Sequence, residues 1–134
     1  MIKLSEILKG TDYESLSQKI QDNLDILVDR INVIRETYAQ PMTVTSGFRS
    51  MEDHLRIYAE KGITDEHKIP MRSQHLSGCA VDIADADGKL KAWVRLNVPL
   101  LESVGLWCEA FEYTPTWLHF QINPPASEKR FFKP

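Results

Sequence analysis

The chain predicts a small α+β domain, an antiparallel sheet with flanking helices, and three observations carry that expectation. From about Leu16 to Tyr38 apolar residues recur at helical spacing. A short apolar run, Ala80-Val81-Asp82-Ile83-Ala84, reads as a strand entering a core. Two aromatic-rich segments, Leu106 to Tyr113 and Trp117 to Ile122, flank Thr114-Pro115-Thr116 and read as strands paired around a tight turn. Splitting 134 residues would leave two undersized cores, so the expectation is one domain over 1–134 with a short tail from about residue 123.

Each element has a local reason. Leu4, Ile7 and Leu8 cover one side of a short helix, which Gly10-Thr11-Asp12 interrupts. In the long helix Leu16, Ile20, Leu24, Leu27, Ile31 and Ile34 form one stripe, while Asp22, Asp25, Asp29, Arg30 and Arg35 face water. Pro41 closes it, Met42 to Ser46 alternates like a strand, and Gly47-Phe48-Arg49-Ser50 turns the chain. Residues 51 to 62 are again helical, with Leu55, Tyr58 and Ala59 available for packing. His54 and His67 have polar sequence neighbours and read as solvated or locally hydrogen-bonded. Asp65 to Lys68 describes an exposed loop, which Pro70 leads towards the rim of a cleft. Asp85-Ala86-Asp87-Gly88 lacks the full oxygen-donor set of a calcium loop and reads as a solvated turn. Leu90 to Val104 is helical, bent or split at Pro99, and Phe131 and Phe132 pin the tail to the body.

Composition narrows the function classes. A chain with 43% hydrophobic and 26% charged residues is an ordinary globular protein. A net charge of -3 offers no broad cationic attraction, which argues against bulk nucleic-acid binding. The absence of a long apolar run or a secretory pattern predicts a soluble chain without an integral membrane segment. Cys79 and Cys108 read as reduced, buried thiols rather than a disulfide framework.

The chemistry gathers around Ser73 to Ile83. Asp82 stands between Val81 and Ile83, where burial opposes its charge unless a partner compensates, and a metal is one such partner. His75, seven residues earlier, and His119 in the last aromatic strand complete a candidate zinc set. Two imidazoles, one carboxylate and an open fourth position are the donor inventory of a catalytic zinc site. Arg49 can hold a substrate carboxylate or carbonyl through paired hydrogen bonds, with a structural salt bridge as the competing role.

Ser73-Gln74-His75-Leu76-Ser77-Gly78-Cys79-Ala80-Val81-Asp82 resembles the Ser-x-His-x-x-Gly-x-Ala-x-Asp motif of the D-alanyl-D-alanine carboxypeptidase, or M15, family of zinc peptidases. Ser46-Gly47-Phe48-Arg49-Ser50 is similar to that family's Ser-Gly-Tyr-Arg-Ser element, and Trp117-Leu118-His119 to its late Trp-x-His element. The order and approximate separation agree across about residues 40 to 122. The resemblance implies a small zinc D-Ala-D-Ala peptidase-like domain of the phage and bacterial endolysin branch. It implies hydrolysis of bacterial peptidoglycan stem peptides or cross-links by metal-activated water, with His75, Asp82 and His119 as Zn2+ ligands and Arg49 beside the substrate. A phage product reaching the host cell wall by another route fits the missing secretion signal.

The sequence departs from the family at Thr116, where many members carry the Glu or Asp that serves as general base. Two glutamates are nearby. A two-residue turn at Thr114-Pro115 sets Ala110 opposite His119 and puts Glu112 on the His119 face, the preferred assignment. A three-residue turn sets Phe111 opposite His119 and favours Glu109. Besides a metallopeptidase, two readings stand: a noncatalytic zinc-containing cell-wall or virion binding module, and a phage structural protein in which His75 and Asp82 merely share a core hydrogen bond.

Overall fold

The computed structural model describes all 134 residues. Helix α1 (Leu4–Leu8) precedes the long α2 (Gln18–Tyr38), which starts where the Ser17 hydroxyl accepts a hydrogen bond from the Ile20 amide. Leu24, Leu27, Ile31 and Ile34 are fully buried along one stripe of α2, as their spacing requires. The helix ends when Ala39 turns left-handed, two residues before Pro41.

Strand β1 (Val44–Ser46) leads into α3 (Met51–Glu60), capped by the Ser50 hydroxyl, and β2 (Ala80–Ala84) follows. Pro99 splits the next helical stretch into α4 (Lys89–Leu96) and α5 (Val98–Val104), where it occupies the first turn and costs no helical hydrogen bond. Strands β3 (Trp107–Glu109), β4 (Trp117–Gln121) and β5 (Phe131–Phe132) complete a five-stranded sheet in the order β1-β2-β4-β3-β5. All pairings are antiparallel except β3 with β5, so the sheet is mixed rather than purely antiparallel.

Side-chain alternation gives the sheet two unlike faces. Val81 and Ile83 of β2, Cys108 of β3, and Leu118 and Phe120 of β4 join the α2 stripe, Val94 and Leu101 in the main core cluster. The intervening residues, Asp82, Glu109, His119 and Gln121, belong to the opposite face and line a cleft. Cys79 and Cys108 are buried free thiols.

Three local expectations need correction. No tight turn joins β3 and β4: the connection runs over 110–116 through a 3-10 turn at Phe111–Tyr113, with Cys108 opposite Phe120. It is held from outside, by the Lys91 ammonium donating to the Pro115 carbonyl and the Asp85 amide donating to the Thr116 carbonyl. Asp85 is buried, not solvated, and its two carboxylate oxygens accept from the Leu90 and Lys91 amides that open α4. His54 is fully buried and is the best-protected side chain of α3, whereas His67 is exposed as expected.

Candidate metal centre

The sheet register builds the centre. Asp82 and His119 pair directly across β2 and β4, which places both side chains on the cleft face. His75 comes from the loop before β2, fastened to the start of α3 by the Arg49 amide donating to its carbonyl. Gly47 is obligatory in this junction, because a Cβ there would run into the backbone of Ile7. Gly78 has φ +75°, and a Cβ on it would meet the Leu24 side chain, so the ligand loop lies directly on α2.

All three side chains are buried, and one donor atom from each lies within 4.8 Å of the other two. His119 Nδ1 is 3.0 Å and His75 Nε2 is 3.3 Å from Asp82 Oδ1. A tetrahedral zinc with bonds of about 2.0–2.2 Å separates its donors by roughly 3.3–3.6 Å, so the cluster is close to the required size.

Outer partners fix which nitrogens carry protons. The Gly47 carbonyl lies 2.8 Å from His75 Nδ1 and can only accept, so that nitrogen donates and Nε2 is left with its lone pair towards Asp82. On the other side the Gln121 amide nitrogen donates to the Asn123 carbonyl at 2.8 Å. Its oxygen therefore faces His119 Nε2, also at 2.8 Å, and receives that proton, leaving Nδ1 bare. Two imidazole lone pairs and a carboxylate oxygen thus converge with no donor between them. Neutral rings would repel the carboxylate, and a cation resolves the conflict: the donor set fits zinc.

Without a metal, a proton must play that part. Burial by itself would raise the Asp82 pKa, but hydrogen bonding and charge from His119 and His75 prevail and hold it well below the usual carboxylate range. Burial would likewise lower the His119 pKa, but the hydrogen bond and charge of Asp82, with the charge of Glu109, raise it. Proton and metal compete for one place.

The surrounding cleft has a volume of about 730 Å³. Arg49 lines one wall; its Nε donates to the Ser46 hydroxyl at 3.0 Å and its Nη2 stands 3.8 Å from Asp82 Oδ2. Glu109 lines the other, with Oε1 3.8 Å from His119 Nδ1. Continuing the observed register by one residue sets Glu109 opposite His119. Glu112 is elsewhere: it is exposed on the 3-10 turn and borders a separate shallow cavity with Arg95, Phe111 and Phe131. Thr116 is exposed and outside the cleft lining.

The structure thus brings His75, Asp82, His119, Arg49 and Glu109 together and leaves Glu112 out. It also adds Gln121, which sequence reasoning passed over although its spacing of two from His119 on one strand was a usable signal. Tyr58 and Trp117 also line the cleft.

No protein-family model and no curated protein sequence matches the chain. The fold is that of a solved structure: over 85% of this chain and 93% of the other, it is similar to the crystal structure of the Serratia marcescens L-Ala D-Glu endopeptidase ChiX, with 22% sequence identity and a TM-score of 0.52.

Proposed function

We propose that the protein is a zinc-dependent metallopeptidase that cleaves peptide bonds in the stem peptides or cross-links of bacterial peptidoglycan. The observation that carries this reading is the convergence of His75 Nε2, His119 Nδ1 and Asp82 Oδ1, all stripped of donors, on the floor of an open cleft. The motif resemblance to the M15 family and the fold shared with an L-Ala D-Glu endopeptidase support the substrate class.

His75, Asp82 and His119 would hold the zinc, which when bound would supply Lewis acidity for activating water and polarising the scissile carbonyl. The remaining tasks fall to the chain. Glu109, beside His119 and open to the cleft, takes the proton from the attacking water and returns it to the leaving amine. Arg49 donates to the carbonyl oxygen as it gains negative charge, in a place where Ser46 already orients its guanidinium. The outer partners Gly47 and Gln121 keep both imidazoles aimed inwards.

The test is incubation of purified protein with a defined stem peptide and with intact peptidoglycan, with and without zinc, followed by mass spectrometry. Zinc-dependent release of amine and carboxyl termini is expected. Binding without any bond cleavage would leave a noncatalytic cell-wall module, and no stoichiometric zinc would reject the centre itself.

A further inference from the structure

His54 is unused in the scheme above, yet it is more completely buried than any of the three candidate ligands. It lies on α3 with no solvent exposure. The Pro70 carbonyl, an acceptor only, sits 2.9 Å from its Nε2, so that nitrogen carries the ring proton. Nδ1 is thereby an acceptor, and Arg49 Nη1 stands 3.5 Å from it. The edge of the ring packs on Tyr58, one helical turn further on, with centroids 5.0 Å apart. Arg49, Tyr58 and Pro70 all line the cleft.

Resting on the reading of the cleft as a peptidase site, we infer that His54 is a positioning residue that holds Arg49 and Tyr58 as a two-donor wall for the oxygen acceptors of a bound peptide. Arg49 is gripped at two points, Ser46 on Nε and His54 on Nη1, which leaves Nη2 directed at the metal-binding floor. Two anchors remove rotamer freedom that a lone arginine would lose only when substrate arrives. Tyr58 is fixed between the His54 ring and the Lys61 ammonium, which lies 5.1 Å from the phenol centroid. Burial raises its pKa; Arg49 opposes that, while Glu109 and Asp82 add to it, so the hydroxyl stays a donor at neutral pH. Burial also keeps His54 neutral, the state in which Nδ1 can accept, and the nearby Arg49 and Lys61 charges act in the same direction against the Pro70 hydrogen bond.

Two isosteric halves of the histidine separate this role from simple packing. His54→Asn keeps an acceptor near Nδ1 and loses the reach to Pro70; His54→Gln keeps the reach to Pro70 and loses the acceptor for Arg49. With a stem peptide and equal zinc loading, His54→Gln is expected to lower kcat/KM by roughly tenfold while His54→Asn recovers most of it. In an Arg49→Ala background His54→Gln should then cost clearly less than it does alone, the remainder being its contact with Tyr58. Recovery by Gln but not Asn, or additive losses, would overturn the inference. Nitrogen-15 NMR supplies an arm that needs no turnover: wild-type His54 should be the neutral Nε2–H tautomer, and the Arg49 Nε–H should exchange faster with solvent in His54→Gln. A protein that cleaves nothing refutes the peptidase reading, and the NMR result still decides the positioning; an unchanged Arg49 signal refutes the latter alone.

Discussion

Glu109 and His119 face each other across β3 and β4, with Glu109 Oε1 3.8 Å from His119 Nδ1. This carboxylate is the one within reach of the metal-binding nitrogens that is not itself a ligand. Glu109→Gln should lower kcat by about 10²–10⁴-fold with zinc content unchanged, because it removes proton transfer but keeps the shape. Glu112→Gln, on an exposed turn, should change kcat by less than about twofold. Turnover and metal analysis on both variants decide the assignment, and a reversed pattern sinks it.

Gln121 sets the His119 tautomer by accepting the Nε2 proton, against the pull of Asp82 on Nδ1. Gln121→Leu should weaken zinc binding by about 10–100-fold, since His119 Nδ1 is no longer kept free of its proton. Competition against a chelator of known affinity measures the loss. An unchanged dissociation constant would show that the outer contact is idle.

The two shifted groups give opposite pH signatures in metal-free protein. Asp82, with its folded pKa depressed below the ordinary 3.8, contributes stability above that value and loses it as pH falls through the lower folded one. His119, with its folded pKa raised above 6.5, contributes fully below 6.5 and loses the contribution as pH rises through the raised value. The metal-free Tm should therefore decline from neutral into alkaline solution, while zinc-loaded protein, whose ligands are already deprotonated, should resist that decline. Thermal melts from pH 5 to 9 with zinc or chelator check this; parallel curves would contradict it.

Gly78→Ala should be destabilising by at least about 1–2 kcal/mol from its left-handed backbone alone. The new Cβ also presses on the Leu24 side chain, so either that side chain or the loop carrying His75 must shift. Urea unfolding should show the loss, and zinc affinity should fall in parallel. Retained affinity at reduced stability would separate the loop's fit from its ligand geometry.

Much of this was legible in the residues because local physics decided it. The α2 stripe needs only periodicity, and a charged residue inside Val81-Asp82-Ile83 announces a compensating partner before any partner is known. The β3–β4 register was not legible. It depends on Lys91, Asp85 and the buried Thr114 holding residues 110–116 in a long connection, and no turn rule sees contacts from another helix. His54 was hidden for a similar reason: Glu52 and Arg56 around it in sequence lie on the exposed side of α3, while its own side points inwards. Glu109 stands in the cleft although the three-residue turn that favours it does not form, and the pairing that would bring Glu112 to His119 is one the chain does not make.

The direct pairing of Asp82 with His119 has a consequence beyond chemistry. Their side chains meet although they are 37 residues apart, so the donor set does not exist until β2 and β4 have found each other. A bound ion then acts as a reversible staple across that interval. A permanent cross-link closing a loop of this size restricts the unfolded chain by about 4 kcal/mol. Chelation should accordingly hasten unfolding as well as silence the cleft, and refolding in zinc should trap the β2–β4 register as it forms.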